Sequence, residues 1–101
     1  MKKRFTVMVD KGPEDAEEKF KSWIAARKLG WWHWIGGTWF LVGEADDLTP
    51  MVVRDAVREC YGTANCMVLE IKGNKGKWAG YGPKNGDKDM FAWMRKHWNE
   101  S

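Results

Sequence analysis

The chain has 101 residues, 44% hydrophobic and 31% charged, with a formal net charge of +3. That size supports one domain, because a second independent core would lack apolar surface, and the balance excludes a mainly disordered chain. Leu29 to Gly43, the longest nearly uncharged stretch, is broken by Gly30, Gly36 and Gly37 and is too short to cross a bilayer as a helix.

Lys3 to Val9 alternates Phe5, Val7 and Val9 against Arg4, Thr6 and Met8, which predicts a first strand ending at Asp10-Lys11-Gly12-Pro13. From Pro13, the acids of Glu14 to Glu18 fill a first helical turn. Ala16, Phe20, Trp23, Ile24 and Arg27 continue one helical face, and Arg27, Lys28 and Gly30 close it. Two aromatic and β-branched runs, 31–35 and 38–42, flank Gly36-Gly37, a strong signal for a two-residue hairpin. With those glycines as the turn, Ile35 opposes Thr38, Trp34 opposes Trp39, His33 opposes Phe40 and Trp32 opposes Leu41. That register puts Trp32, Trp34, Trp39 and Leu41 on one face, and Trp31, His33, Ile35, Phe40 and Val42 on the other. Both faces are apolar, so the hairpin is expected to be central or covered on both sides.

Thr49 and Pro50 supply an N-cap and first position for a second helix, whose face is Val53, Ala56, Val57 and Cys60 and whose stop is Tyr61-Gly62. Cys66 to Ile71 reads as a fourth strand, with Met67, Leu69 and Ile71 alternating against Val68 and Glu70. The expected fold is therefore α+β, a ferredoxin-like βαββαβ sandwich with an antiparallel sheet and two helices. Residues 72–86 hold Gly73, Gly76, Gly80, Gly82, Pro83 and Gly86, which is loop chemistry with a short extended piece at Trp78-Ala79. Asp87 to Trp98 resumes helical spacing through Met90, Phe91, Met94 and Trp98, so a short C-terminal helix is expected to dock back. Residues 1–71 are read as the core, and 72–101 as a basic aromatic loop and helix packed on the same domain.

Eight residues are tryptophan. Large rings fill a small core economically, but exposed indoles are also stacking platforms and interface anchors, and eight are too many for this sheet to hide. Charge is uneven. Residues 1–71 carry ten Lys and Arg against eleven Asp and Glu, and residues 72–101 carry seven against three. Lys72, Lys75, Lys77, Lys84, Arg95 and Lys96 interleave with Trp78, Tyr81, Trp93 and Trp98, the mixture that meets phosphates while rings stack on bases. The bland reading is a solvated rim with rings docked inward, and the small net charge is far from that of a dedicated nucleic-acid binder. Trp31, His33, Lys75, Lys77, Trp78, Tyr81, Trp93 and Arg95 are the candidate ligand- or partner-binding residues.

Gly73-Asn74-Lys75-Gly76-Lys77 lacks phosphate-loop spacing and reads as a turn. Cys60 and Cys66 show no CxxC pattern, and His33 and His97 no HxxxH pattern, so neither zinc nor any other cofactor is implied. Asp10 at a strand end is first a turn-former. Met1-Lys2-Lys3-Arg4 precedes too short an apolar run for a secretion signal, which gives the expectation of a cytoplasmic chain with reduced cysteines.

Trp32-His33, Trp39 at the head of a second apolar strand, Arg54-Asp55 in the helix, Val68 to Ile71, and Trp78-Ala79-Gly80 together resemble a group of small bacterial and phage proteins, the SinR-like group. The resemblance covers about residues 4–80. It implies a ferredoxin-like fold, related in shape to small endoribonuclease-like proteins of CRISPR adaptation and to certain toxins. Gly36-Gly37, Trp31, Trp34 and the basic aromatic tail depart from that pattern. For a phage member it implies counter-defence, the sequestering of a bacterial immune component. The leading expectation is thus a non-enzymatic binding protein whose partner is a bacterial defence protein or a phosphate-bearing ligand, a nucleotide or nucleic acid. The alternatives are a metal-dependent endoribonuclease or toxin-like enzyme using Asp10 and His33, and a structural homodimer.

Overall fold

A computed structural model describes residues 2–72, 78–84 and 89–98. The elements follow in the order β1 (Lys3–Val9), α1 (Ala16–Ala26), β2 (Gly30–Ile35), β3 (Thr38–Gly43), α2 (Pro50–Tyr61) and β4 (Cys66–Ile71), and a π-helical turn (Met94–Trp98) comes last. The strands form one antiparallel sheet in the order β2-β3-β1-β4.

The period-two pattern of β1 sends Phe5, Val7 and Val9 to the side on which α1 and α2 lie. There they meet Trp39 and Leu41 of β3, Phe20 and Ile24 of α1, and Val53, Val57 and Tyr61 of α2. Phe20 stands edge-on to Trp39, with ring centroids 5.0 Å apart and planes at 86°. Helix α2 begins where Thr49 Oγ1 accepts the Val52 N–H at 3.2 Å and Pro50 fills the first turn. Its buried face is Val53, Ala56, Val57 and Tyr61, and Cys60, expected on that face, is only half-buried at its margin.

Helix α1 ends differently from the sequence expectation. Lys28, not Gly30, takes the left-handed conformation, at φ 59°. The Lys28 N–H bonds to Ala25 O and the Leu29 N–H to Ile24 O, both at 3.1 Å, which closes the helix in a Schellman motif with Leu29 folded onto the core. Gly30 is already the first residue of β2.

The hairpin register also needs correction. Ile35 does oppose Thr38, but Trp32 opposes Phe40 and Trp31 opposes Leu41. Two residues of β2, His33 and Trp34, therefore face the single residue Trp39, which is a β-bulge. The slip moves Trp32 to the face of Phe40 and Val42, and leaves Trp31 and His33 with Trp39. Ring packing accounts for it. Trp32 stacks on Phe40 at 4.4 Å and 12°, and His33 stacks on Trp39, whereas Trp34 is left 42% exposed.

The sheet face away from α1 and α2 carries Arg4, Thr6 and Met8 of β1, Phe40 and Val42 of β3, Trp32 of β2, and Leu69 and Ile71 of β4. Met90, Phe91, Met94 and Trp98 pack over Trp32 and Val42 as a second core, with Phe40, Ile71, Trp78 and Trp93 around them. In the described part of the expected short C-terminal helix, a turn at residues 90–91 leads into helical residues 92–98, the last five of them π-helical, while Asp87 and Lys88 lie outside the described residues. The Asp89 carboxylate accepts the Phe91 and Ala92 N–H groups at 2.9 and 3.1 Å and organises that turn. Residues 78–84 contain no strand, so the extended piece expected at Trp78-Ala79 is irregular chain. Among the described residues, no helix is long and apolar enough to cross a membrane.

Candidate functional site

A cavity of about 250 Å³ remains between the second sheet face and the C-terminal segment. Its floor is Thr6, Trp32, Phe40 and Ile71, its roof is Met90, Phe91, Met94, Trp98 and Trp78, and Ile35 and Tyr81 stand at the rim. The rings form a ladder across the floor and roof. Phe40 stacks on Trp32 and, on its other side, on Trp98 at 4.7 Å and 28°, while Trp78 lies parallel to Phe91 at 6.2 Å and 10°.

Main-chain contacts hold the roof in place. The Trp32 indole N–H donates to Met90 O at 2.6 Å, and the buried Arg4 donates its Nε–H to Trp98 O at 2.5 Å. Residues 78–84 come close because two glycines let them. A Cβ at Gly80 would lie 2.6 Å from Phe91 Cε1, and one at Gly82 would run into Met90 Sδ. Arg95 Nη2 donates to Asp89 Oδ2 at 3.0 Å. Hydrogen bonds from the Phe91 backbone, and then from Arg95, hold the Asp89 carboxyl below its ordinary pKa. Burial, aided by Lys96 and Lys2, holds His97 below its ordinary value.

The predicted residues divide among several places. Trp78 and Tyr81 line the cavity, and Tyr81 is 98% exposed at its mouth. Trp31, His33 and Trp93 share a separate, more open hollow with Trp32 and Trp34 along β2, an edge strand. Lys21 Nζ sits 5.5 Å over the Trp31 ring there. Arg95 is exposed and tied to Asp89. Lys75 and Lys77 lie outside the described residues, as does the rest of the 73–77 glycine loop. Sequence reasoning did not select Thr6, Trp32, Phe40 or Trp98 as site residues. The available signal was the helical spacing of Met90, Phe91, Met94 and Trp98, an apolar face that had to cover something.

The groups considered for catalysis are held in structural contacts. The His33 Nδ1–H donates to Thr38 O at 2.8 Å, and Nε2 lies 3.6 Å from Glu17 Oε2. Asp10 Oδ2 accepts from Asn65 Nδ2 at 3.1 Å, tying the end of β1 to the start of β4. Burial pushes the Cys60 thiol up. Burial also raises the Tyr61 phenol, against the pull of the Trp39 indole N–H, which leans on it without making a hydrogen bond of full geometry. Among the described residues, no three His, Cys, Asp or Glu side chains gather to hold a metal ion. Comparison with known protein families, curated proteins and solved structures found no match to this chain.

Proposed function

We propose that the chain is a non-enzymatic binding protein of the ferredoxin-like βαββαβ class, which captures a small ring-bearing ligand between its sheet and its aromatic C-terminal segment. The element order, the strand order β2-β3-β1-β4 and the helices on one face support that class. The observation that carries the function is the ring-lined cavity under the C-terminal segment. Among the described residues its lining holds no Asp, Glu, Lys, Arg, His or Cys and is dominated by rings and Met, which supports capture rather than proton transfer or nucleophilic attack. In the phage setting implied by the SinR-like resemblance, capture sequesters a component of bacterial immunity. A nucleotide joins the flat ring that suits the cavity to the phosphate that the basic excess of residues 72–101 attracts.

Native mass spectrometry of protein purified from bacterial lysate, before and after denaturation, tests this reading. The wild type should release a small ring-bearing molecule, and a folded Trp78→Ala, Tyr81→Ala variant should release little. A bare wild-type chain, or equal loading of the double variant, would overturn the proposal.

A homodimer is the second reading, favoured by β4. That strand is the other sheet edge, without bulge or proline, and Met67 and Leu69 on it are 58% and 46% exposed. Sedimentation over a range of concentrations decides it, since a chain that stays monomeric removes this reading. The endoribonuclease reading rests on Asp10 with His33, which are held by Asn65 and by Thr38 O respectively, and no further observation favours it.

A further inference from the structure

We infer that the cavity recognises an uncharged heteroaromatic group of one or two rings, the size of a nucleobase or an indole, with the Thr6 hydroxyl as its hydrogen-bond partner. This rests on the binding reading above and names the ligand class.

Volume sets the ring count. The cavity, about 250 Å³, exceeds the engineered apolar cavity of about 150 Å³ that holds benzene, yet falls below the roughly 300–1,000 Å³ of sites for drug-sized molecules. Shape sets flatness, because the Trp32, Phe40 and Trp98 rings lie within 12° and 28° of parallel and an added ring extends their stack.

Charge is excluded by cost. A phosphate, carboxylate or ammonium inside would lose its water with no oppositely charged group among the described lining residues to replace it. Charged substituents must therefore leave by the mouth beside Tyr81 and Ile35, which are 98% and 54% exposed.

Polarity is set by Thr6. It lies at the centre of the sheet face on β1, next to Phe40, half-buried. Among the described residues its hydroxyl has no hydrogen-bond partner, whereas the neighbouring Trp32 N–H is already committed to Met90 O. A half-buried hydroxyl among rings gains from a ring nitrogen or N–H, and an all-carbon ring offers it nothing.

The test titrates the full chain with indole, adenine, AMP and naphthalene, following tryptophan fluorescence and the Thr6 methyl signal by NMR. Indole and adenine should bind and shift that methyl. Thr6→Val keeps the volume and removes the hydroxyl, so it should weaken both by about three- to tenfold and leave naphthalene unchanged. Thr6→Phe fills the space and should abolish all binding, and if that variant does not fold, Thr6→Val carries the test. AMP binding as well as adenine identifies a nucleotide as the source of the ring, and adenine binding alone identifies a free ring. Either supports the inference. No binding by any ring, or an equal effect of Thr6→Val on naphthalene and adenine, would overturn it. If Thr6→Val carries its lysate-derived molecule as fully as the wild type while Trp78→Ala, Tyr81→Ala loses it, the hydrogen-bonding role of Thr6 fails while the broader binding reading stands.

Discussion

His33 and Trp39 lie face to face, with ring centroids 3.7 Å apart and planes 2° from parallel. The bulge at His33 and Trp34 makes this contact, since a regular register would turn His33 to the other side of the sheet. The same turn aims Nδ1–H at Thr38 O, so one residue joins ring stacking to a hairpin hydrogen bond. His33→Ala should cost about 1–2 kcal/mol in chemical denaturation, because it removes both contacts. Glu17→Gln should cost less than about 0.5 kcal/mol, since that carboxylate is 55% exposed and its pairing is screened by water. Equal effects of the two substitutions would remove the stack as the cause.

The two glycines of the hairpin turn have different jobs. Gly36 takes φ +24° with open space around it, whereas a Cβ at Gly37 would run into the Val9 carbonyl of β1. The Val9 N–H also donates to Gly37 O at 2.8 Å, so the turn is fastened to the central strand. Gly36→Ala should cost about 1 kcal/mol from backbone strain. Gly37→Ala should cost about 2 kcal/mol or more, because backbone cannot rotate away. Urea midpoints of the two variants check the order, and the reverse order would contradict this packing.

Acid should release the C-terminal segment before it unfolds the helix-covered core. His97 has a lowered pKa in the fold, so its contribution is present above the ordinary value of 6.5 and is lost as pH falls through the folded value. Asp89 is also lowered, so its contribution is present above the ordinary 3.8 and is lost as pH falls through its own folded value. Both groups sit in the segment that roofs the cavity. Tryptophan fluorescence should shift to the red below about pH 6.5, ahead of any loss of far-ultraviolet dichroism, and His97→Gln should remove the first step. A single transition reported alike by both probes would contradict this order.

Much of the fold was legible from period alone. The alternation in β1 and β4, the Thr49-Pro50 start of α2 and the double glycine turn all express local preferences that tertiary packing then confirmed. The bulge was not legible, because it follows from ring-on-ring packing between Trp32 and Phe40 and between His33 and Trp39 rather than from any turn residue. Lys28 in place of Gly30 was missed because the Schellman closure depends on Leu29 reaching Ile24. The cavity was half legible. Trp78 and Tyr81 stood out by composition, but the slipped register hid Trp32 and Phe40 from the same face, and Thr6 looked like an ordinary solvent-side strand residue.

Hydrogen–deuterium exchange reads out whether ligand is held between the sheet and the C-terminal segment. Protein loaded with the molecule it carries from lysate should be compared with the same protein after that molecule is stripped. Exchange should slow on loading in residues 30–42, 78–84 and 90–98, with α1 and α2 unchanged. Slower exchange confined to α1, α2 or the outer edge of β4 would contradict it.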